Sequence, residues 1–304
     1  MQTVYNVNIN DAKIGYKPDG NFSVAEYITH ADKLNDRSGN AFSRYSPAYV
    51  FCNERINDII NVLRPDGKNV LAVAGSGDMP LFLTAYGAKH VDTFDISYNA
   101  RVIMDIKTHM LHNKVKFMDY VAVLTNLEKS VDVTKCESWN IVKPVLNSDI
   151  SEYLYAMRGC KIFMRGDTGK GIILPNSPEF ISMCENVPEQ YNFIWSDLFD
   201  VCGQISGQKY DIIYLSNVFQ YVANPNHIVG ALNDFHKHLN PGGIMVIDSL
   251  LPKTVKTESA SKSTQMEYAY YQRLKNYEYV GKKIAGWGKM FHDHNAMTMF
   301  IKTK

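Results

Sequence analysis

Two short segments carry the residue types that a nucleoside site needs. An apolar run from Asn69 ends in the turn Gly75-Ser76-Gly77, and a second apolar run ends at Asp95. Glycine lets the backbone approach a ligand, and the helix after the turn offers free N–H groups. A carboxylate at the end of the second strand can accept hydrogen bonds from both hydroxyls of a ribose. The pattern therefore predicts that these four turn and strand-end residues bind a nucleoside.

Two further residues of this turn argue against a dinucleotide. A dinucleotide-binding turn needs a third glycine at position 80, where this chain has Pro80, and the adjacent Asp78 would repel a pyrophosphate. A nucleoside that carries a positive charge suits an acidic turn better. S-adenosylmethionine, which joins adenosine to a sulfonium and an amino acid arm, is such a ligand.

Strands and helices alternate around these motifs, which predicts parallel βαβ units in a doubly wound α/β sheet. The predicted strands are 69–74, 91–95, 191–195, 210–215 and 243–248, and the predicted helices between them are 79–87, 98–112 and 225–239. Helices are also predicted at 23–34, 46–63 and about 265–277. Two strand-like runs, 279–287 and 296–302, predict a C-terminal β-hairpin at one edge of the sheet.

The segment 113–190 is too long for an ordinary connection in such a sheet. It contains an apolar run at 115–127, helices near 149–158 and 177–186, and a short apolar run at 161–164. A structured insertion beside a ligand site commonly covers it or selects the substrate. We therefore predict three units: an N-terminal helical cap at 1–64, a nucleoside-binding domain made of 65–112 and 191–304, and an inserted substrate or lid subdomain at 113–190.

Four motifs, at 70–77, Asp95, Asp197 and 210–221, resemble in type and order those of the class I S-adenosylmethionine-dependent methyltransferases. The resemblance covers residues 69–112 and 191–302. The family's ribose-binding acid matches Asp95, with Ile96 beside it as an adenine wall. Its adenine-contacting acid matches Asp197, which is followed by Leu198. The resemblance implies a Rossmann-like methyltransferase fold and S-adenosylmethionine as the cofactor.

The fourth motif and the glycine turn also resemble a side branch of this superfamily. The motif contains Ser216 and Asn217, and Asp78 stands where the last glycine of Gly-x-Gly-x-Gly is expected. Both features are similar to the betaine-lipid-synthase-like enzymes, which transfer the 3-amino-3-carboxypropyl arm of the same cofactor. That resemblance implies that Tyr45 and Ser46 hold the carboxylate of the methionine arm. The Ser-Asn pair also occurs in ordinary methyltransferases, so it does not choose between the branches.

Three functions stay open at this point. Both transfers are displacements at a carbon attached to sulfur, which need alignment and exclusion of water more than a base. If a base exists, the candidates are Tyr221 and His227. We favour methyl transfer to a small molecule, with aminocarboxypropyl transfer and release of methylthioadenosine as the alternative. The third hypothesis is a protein that binds S-adenosylmethionine without catalysis.

Composition narrows the partners and the location. The 32 Lys and Arg residues against 31 Asp and Glu residues provide no net field for a nucleic acid or a membrane. DNA base methylation is not favoured, because neither an Asn/Asp-Pro-Pro-aromatic run nor a Pro-Cys dipeptide is present. Scattered cysteines, and the lack of a signal peptide or an apolar span, predict a cytoplasmic protein. His292 and His294 lack a third ligand, so no metal site is predicted. The sequence does not predict the oligomeric state.

Overall fold

The structure is a computed structural model that describes residues 46–52, 54, 56–130, 132–159, 161–164, 177–218, 225–248, 277–279 and 297–302. Its strands are β1 (Ala48–Tyr49), β2 (Asn69–Val73), β3 (His90–Asp95), β4 (Phe163–Met164), β5 (Asn192–Trp195), β6 (Tyr210–Tyr214), β7 (Leu239–Asp248), β8 (Tyr277–Tyr279) and β9 (Met297–Lys302). Its helices are α1 (Ile56–Leu63), α2 (Asp78–Ala85), α3 (Tyr98–His112), α4 (Phe117–Lys129), α5 (Trp139–Val142), α6 (Ser148–Ala156), α7 (Pro178–Asn186), α8 (Val201–Gln204) and α9 (Pro225–Lys237).

Seven strands form the main sheet in the order β5-β3-β2-β6-β7-β9-β8. The first five are parallel to one another, whereas β9 pairs antiparallel with β7 and β8 pairs antiparallel with β9. The strand order reverses at β2, with β3 on one side and β6 on the other, so a crevice opens at the carboxyl ends of these strands. The predicted doubly wound, mostly parallel sheet with an antiparallel C-terminal edge is confirmed.

Both faces of the sheet are covered by helices, as the continuous apolar sequence of β2 requires. Successive residues of a strand point to opposite faces, and Val70 and Ala72 belong to one buried cluster while Leu71 and Val73 belong to the other. The first cluster includes residues of α1 to α4, and the second includes residues of α8 and α9. The ligand edge is therefore held from both sides by packed helices.

The segment between α3 and β5 shares the first of these cores. Tyr120, Tyr153 and Phe180 are buried in the same cluster as the helices beside β2. The strand β4 of this segment pairs in parallel with β1, so it holds a piece of chain that precedes the main sheet.

Two sequence predictions about local structure are wrong. The predicted helix 46–63 is helical in its second half, α1, whereas Ala48–Tyr49 is a strand, because Phe163–Met164 pairs with it. The strand predicted at 243–248 is longer than expected, because β7 begins at Leu239 and shifts register against β6 between Tyr210 and Ile212. Gly242 has a φ of 76° in the added part, a conformation that glycine permits at such an irregularity.

Some predicted elements lie outside the described residues: the helix at 23–34, residues 265–276 of the helix predicted at 265–277, and residues 280–287 of the first hairpin strand. Within the described ranges, no helix has the length and apolar content needed to cross a bilayer.

Candidate functional site

A cavity of about 340 Å³ lies at the carboxyl ends of the central parallel strands. Residues at the ends of β2, β3, β5 and β6 and on the helices beside them form most of its wall: 73–76, 79, 94–97, 100, 196–199, 214 and 216–218. The rest of the wall comes from the segment before α1, which we call the strap and define as residues 46–52 and 54. Its wall residues are Pro47, Ala48, Tyr49, Phe51, Cys52 and Glu54.

Asp95 ends β3 with its carboxylate on the cavity wall. One oxygen, Oδ2, accepts a hydrogen bond from the backbone N–H of Gly75 at 2.9 Å, and Oδ1 accepts one from the N–H of Ser97 at 2.8 Å. Burial raises the pKa of Asp95 to about 6, although both N–H groups favour the charged form. Each carboxylate oxygen can accept a second hydrogen bond, so two acceptor positions are left for a ligand.

The glycine turn after β2 needs both of its glycines, for different reasons. Gly75 has a φ of 54° and Gly77 a φ of 82°, a region that other residues rarely adopt. A Cβ on Gly75 would meet nothing within 4 Å, whereas one on Gly77 would lie 3.0 Å from the Cα of Met104 in α3. Gly75 and Ser76 line the cavity, whereas Gly77 lies outside its wall and lets the turn pack on α3.

Asp78 does not face the cavity, contrary to the sequence prediction. Its Oδ1 accepts a hydrogen bond from the fully buried ammonium of Lys107. Its Oδ2 accepts hydrogen bonds from Ser76 Oγ at 2.9 Å and from the backbone N–H of Cys52 at 2.7 Å. Lys107 balances the negative charge of Asp78, so Asp78 does not make the entrance of the cavity acidic. It anchors the strap to the turn instead.

The strap is anchored at its other end by the first turn of α3. The carbonyl oxygen of Ser46 accepts hydrogen bonds from Ser97 Oγ and, at 3.2 Å, from Asn99 Nδ2. Tyr153 holds the amide of Asn99, because its hydroxyl donates to Asn99 Oδ1 at 2.7 Å. Ser46 is buried and is not on the cavity wall. The structure therefore places it as a support of the strap.

The loop after β5 brings the predicted adenine residues together. Ile96, Asp197 and Leu198 all lie on the cavity wall. The carbonyl of Ile96 accepts a hydrogen bond from the indole of Trp195 at 2.9 Å. Asp197 Oδ1 accepts hydrogen bonds from the N–H groups of Phe199 and Asp200, at 2.8 and 2.9 Å, and so fixes the loop. These contacts give the cavity an apolar end beside Asp95.

The end of β6 contributes Ser216 and Asn217 to the wall, together with a buried acid from the strap. The hydroxyl of Tyr214 donates to Glu54 Oε2 at 2.5 Å, and Ser216 Oγ donates to Oε1. Burial raises the pKa of Glu54, although its hydrogen bonds lower it. Burial and the nearby Glu54 carboxylate also raise the pKa of Cys52 well above its usual value, so this thiol is not poised as a nucleophile.

Three predicted site residues cannot be placed. Tyr45 and Tyr221 lie outside the described residues, and His227 lies in α9, where its side chain is not described. His292 and His294 are outside as well.

Sequence reasoning missed Glu54 and Lys107. A signal existed for Lys107, because it stands among the apolar residues Ile103, Ile106 and Met110 of an otherwise buried helix face. Glu54 had no such signal, since its two hydroxyl partners lie 160 residues or more away in the sequence.

The fold and cavity define a doubly wound α/β protein with a nucleoside-sized site at its strand ends. The family model described as "Methyltransferase domain" matches residues 48–295. The chain therefore belongs to this methyltransferase family, and S-adenosylmethionine is its cofactor. Comparison with curated proteins finds no significant match.

Solved structures with similar folds are distant in sequence. The chain is 10% identical to the N-methyltransferase NodS from Bradyrhizobium japonicum WM9, with a TM-score of 0.40. The aligned region covers 82% of this chain and 95% of NodS. The chain is 12% identical to a TehB-like SAM-dependent methyltransferase from Corynebacterium glutamicum, with a TM-score of 0.40 and coverage of 91% and 98%. It is 10% identical to magnesium protoporphyrin IX methyltransferase from Synechocystis, with a TM-score of 0.38 and coverage of 95% and 88%. Similarity this low carries no information about the acceptor of this chain.

Proposed function

We propose that this protein transfers the methyl group of S-adenosylmethionine to a small molecule. The observation that carries the proposal is the strap, which forms one wall of the cavity at the strand ends. A small acceptor fits beneath such a wall, whereas a polymer needs an open groove. The near-zero net charge of +1 also supports an acceptor other than a nucleic acid.

The wall residues fit the adenosine part of the cofactor. The two open acceptor positions on Asp95 suit the two hydroxyls of a ribose. Ile96 and Leu198 provide an apolar surface for the adenine ring, and Asp197 lies beside them. The empty space around the Cα of Gly75 leaves room for the ligand to cross the turn. Adenine at the β5 end and the methionine arm near β6 would then place the sulfonium between them.

The residues of this chain would align the reactants and exclude water from the reaction. Bound S-adenosylmethionine supplies a methyl group on a positively charged sulfur. Phe51, Met79 and Phe94 are buried apolar residues on the wall, and they exclude water from the reacting centre. A displacement of this kind gains most from holding the acceptor in line, so no dedicated base is required.

We also propose that residues 113–190 act as a substrate subdomain, beside the cap 1–64 and the cofactor domain 65–112 and 191–304. The pairing of β4 with β1 supports this role. The strap donates backbone hydrogen bonds to this segment: the N–H of Ala48 donates to Ile162 O at 3.0 Å, and that of Val50 donates to Met164 O at 3.1 Å. A change in this segment would therefore reshape the cavity wall.

The by-product identifies the reaction. Purified protein is incubated with S-adenosylmethionine and the small-molecule fraction of a cell extract, and the products are analysed by mass spectrometry. We expect S-adenosylhomocysteine, formed faster than with the Asp95→Ala variant, which controls for spontaneous breakdown of the cofactor. Methylthioadenosine above that control would contradict methyl transfer and establish aminocarboxypropyl transfer. Neither product, in spite of tight binding, would establish a non-catalytic binding protein.

A further inference from the structure

The carboxylate of Glu54 is buried on the cavity wall and is bonded to neutral groups. Glu54 is 7% exposed. Its oxygens accept hydrogen bonds from the hydroxyls of Tyr214 and Ser216, and the thiol of Cys52 lies 3.7 Å from Oε2. Among the described residues, no Lys, Arg or His forms an ion pair with it. A buried carboxylate without a cation is costly, so its retention needs an explanation.

The neighbouring acid shows that the fold can supply a cation where it needs one. Asp78 is 4% exposed and is paired with Lys107. Both acids bond to Cys52, Asp78 through the backbone N–H and Glu54 through the thiol. The difference is that Glu54 lies on the cavity wall and Asp78 does not. No residue in the described part of the chain brings a positive charge to Glu54, and a ligand in the cavity can bring one.

Ser216 is held in an unusual conformation at this point. Its φ of 50° lies in the left-handed region, which is unfavourable for a residue other than glycine. In this conformation its hydroxyl donates to Glu54 Oε1. Strained residues persist where the surrounding structure fixes them, commonly at binding sites. The strain at Ser216 therefore orients the carboxylate of Glu54.

Glu54 lies across the glycine turn from Asp95. The strand β2 pairs with β3 on one side and with β6 on the other, and neighbouring strands are about 4.8 Å apart. Asp95 ends β3, whereas the groups bonded to Glu54 end β6. The two carboxylates therefore mark opposite ends of a path across the turn, and a ligand with its ribose at Asp95 extends toward Glu54.

We propose that Glu54 binds the α-ammonium group of the cofactor's amino acid arm, with Tyr214 and Ser216 as the residues that position it. This proposal rests on the proposed function, because it takes the cofactor as the ligand of the cavity. The ammonium fits better than the sulfonium, since an ammonium donates up to three hydrogen bonds and a sulfonium donates none. Oε1 of Glu54, which accepts from Ser216, keeps capacity for a second hydrogen bond, whereas Oε2 already accepts from Tyr214 and Cys52.

Three ligands distinguish which part of the cofactor Glu54 binds. S-adenosylmethionine carries the arm and the sulfonium, S-adenosylhomocysteine carries the arm alone, and methylthioadenosine carries neither. Each is titrated into the wild-type protein and the Glu54→Gln variant by calorimetry. We expect S-adenosylmethionine and S-adenosylhomocysteine to bind about 10- to 100-fold more weakly to the variant, while methylthioadenosine binds equally to both. The Tyr214→Phe variant should show the same pattern with a smaller loss.

Other outcomes overturn the proposal. A loss for S-adenosylmethionine alone would assign Glu54 to the sulfonium, and an equal loss for all three ligands would give it a purely structural role. Unchanged binding of all three would remove it from the site. Methylthioadenosine also reports that each variant is folded. Failure of the proposed function looks different: a wild-type protein that binds none of the three ligands has no cofactor site, and failure of methyl transfer alone is detected by the by-product and leaves these binding ratios unchanged.

Discussion

Asp78 and Glu54 are two buried acids that contact the same strap residue, Cys52, and they differ in how their charge is balanced. Asp78 has a buried lysine, Lys107, and faces away from the cavity. Glu54 has hydroxyl partners and lies on the cavity wall. The comparison teaches that the buried ion pair between Lys107 and Asp78 supports the fold, whereas the Glu54 carboxylate, which is bonded to hydroxyl groups, belongs to the site. Three predictions break or sharpen this contrast, taken from the largest expected effect.

The Lys107→Met variant should be strongly destabilised. The substitution nearly keeps the length of the side chain but leaves the buried Asp78 without a balancing positive charge, which costs about 3–5 kcal/mol. The measurement is the free energy of unfolding from urea titration. Lys237→Met is the control, because Lys237 forms an exposed ion pair with Asp234, at 2.7 Å, and its loss should not be measurable. Equal stability of the two variants would show that the Lys107–Asp78 pair does not hold the strap.

Substitution of the two turn glycines should separate the structural side of the turn from its cavity side. Gly77→Ala should lower the free energy of unfolding by about 2–4 kcal/mol, because it combines a positive φ with a close approach to Met104. Gly75→Ala has the backbone penalty alone, about 1–2 kcal/mol, but places a methyl group on the cavity wall. We therefore expect Gly75→Ala to weaken cofactor binding more than Gly77→Ala does, although it lowers the free energy of unfolding less. A larger loss of stability for Gly75→Ala, or a larger loss of cofactor affinity for Gly77→Ala, would contradict the assignment of Gly75 to the cavity and Gly77 to the packing on α3.

The Glu54→Gln variant should gain stability relative to the wild-type protein as the pH rises. Burial raises the pKa of Glu54 in the folded protein, so the folded state binds this proton more tightly than the unfolded state. Wild-type stability from this group is present at low pH and is lost as the pH rises through the folded pKa. Glutamine does not titrate, and we expect a difference of about 1 kcal/mol in its favour by pH 8 without cofactor. Thermal unfolding of both proteins between pH 5 and 8 measures it, and a difference that shrinks with rising pH would contradict the account.

The regular elements of the fold were predictable, because their patterns are local. The helix Tyr98–His112 was predicted with the bounds that the structure has, and the strands that carry the turn and Asp95 differ by a residue. The strap was not predictable. Its apolar residues fit a helical stripe, but the partner of Ala48–Tyr49 is Phe163–Met164, far along the chain. Long-range pairing overrides a local pattern of this kind.

The candidate site was predictable where strand ends alone build it. Gly75, Ser76, Asp95, Ile96, Asp197, Leu198, Ser216 and Asn217 were all predicted and all line the cavity. Asp78 was placed in the mouth of the site because its neighbours in the sequence say nothing about Lys107, which is 29 residues away and inside a helix. The balance of a buried charge is a property of the packed structure.

Binding of S-adenosylmethionine to the wild-type protein and to Asp95→Ala is the most direct test of the central claim. Calorimetry should detect one cofactor per chain for the wild-type protein and a loss of about 100-fold or more for the variant, since two hydrogen bonds to a carboxylate disappear. The control Asp234→Ala removes an equal charge from an exposed helix position and should bind as the wild type does. The absence of wild-type binding, or equal binding by Asp95→Ala, would contradict a cofactor site at the end of β3.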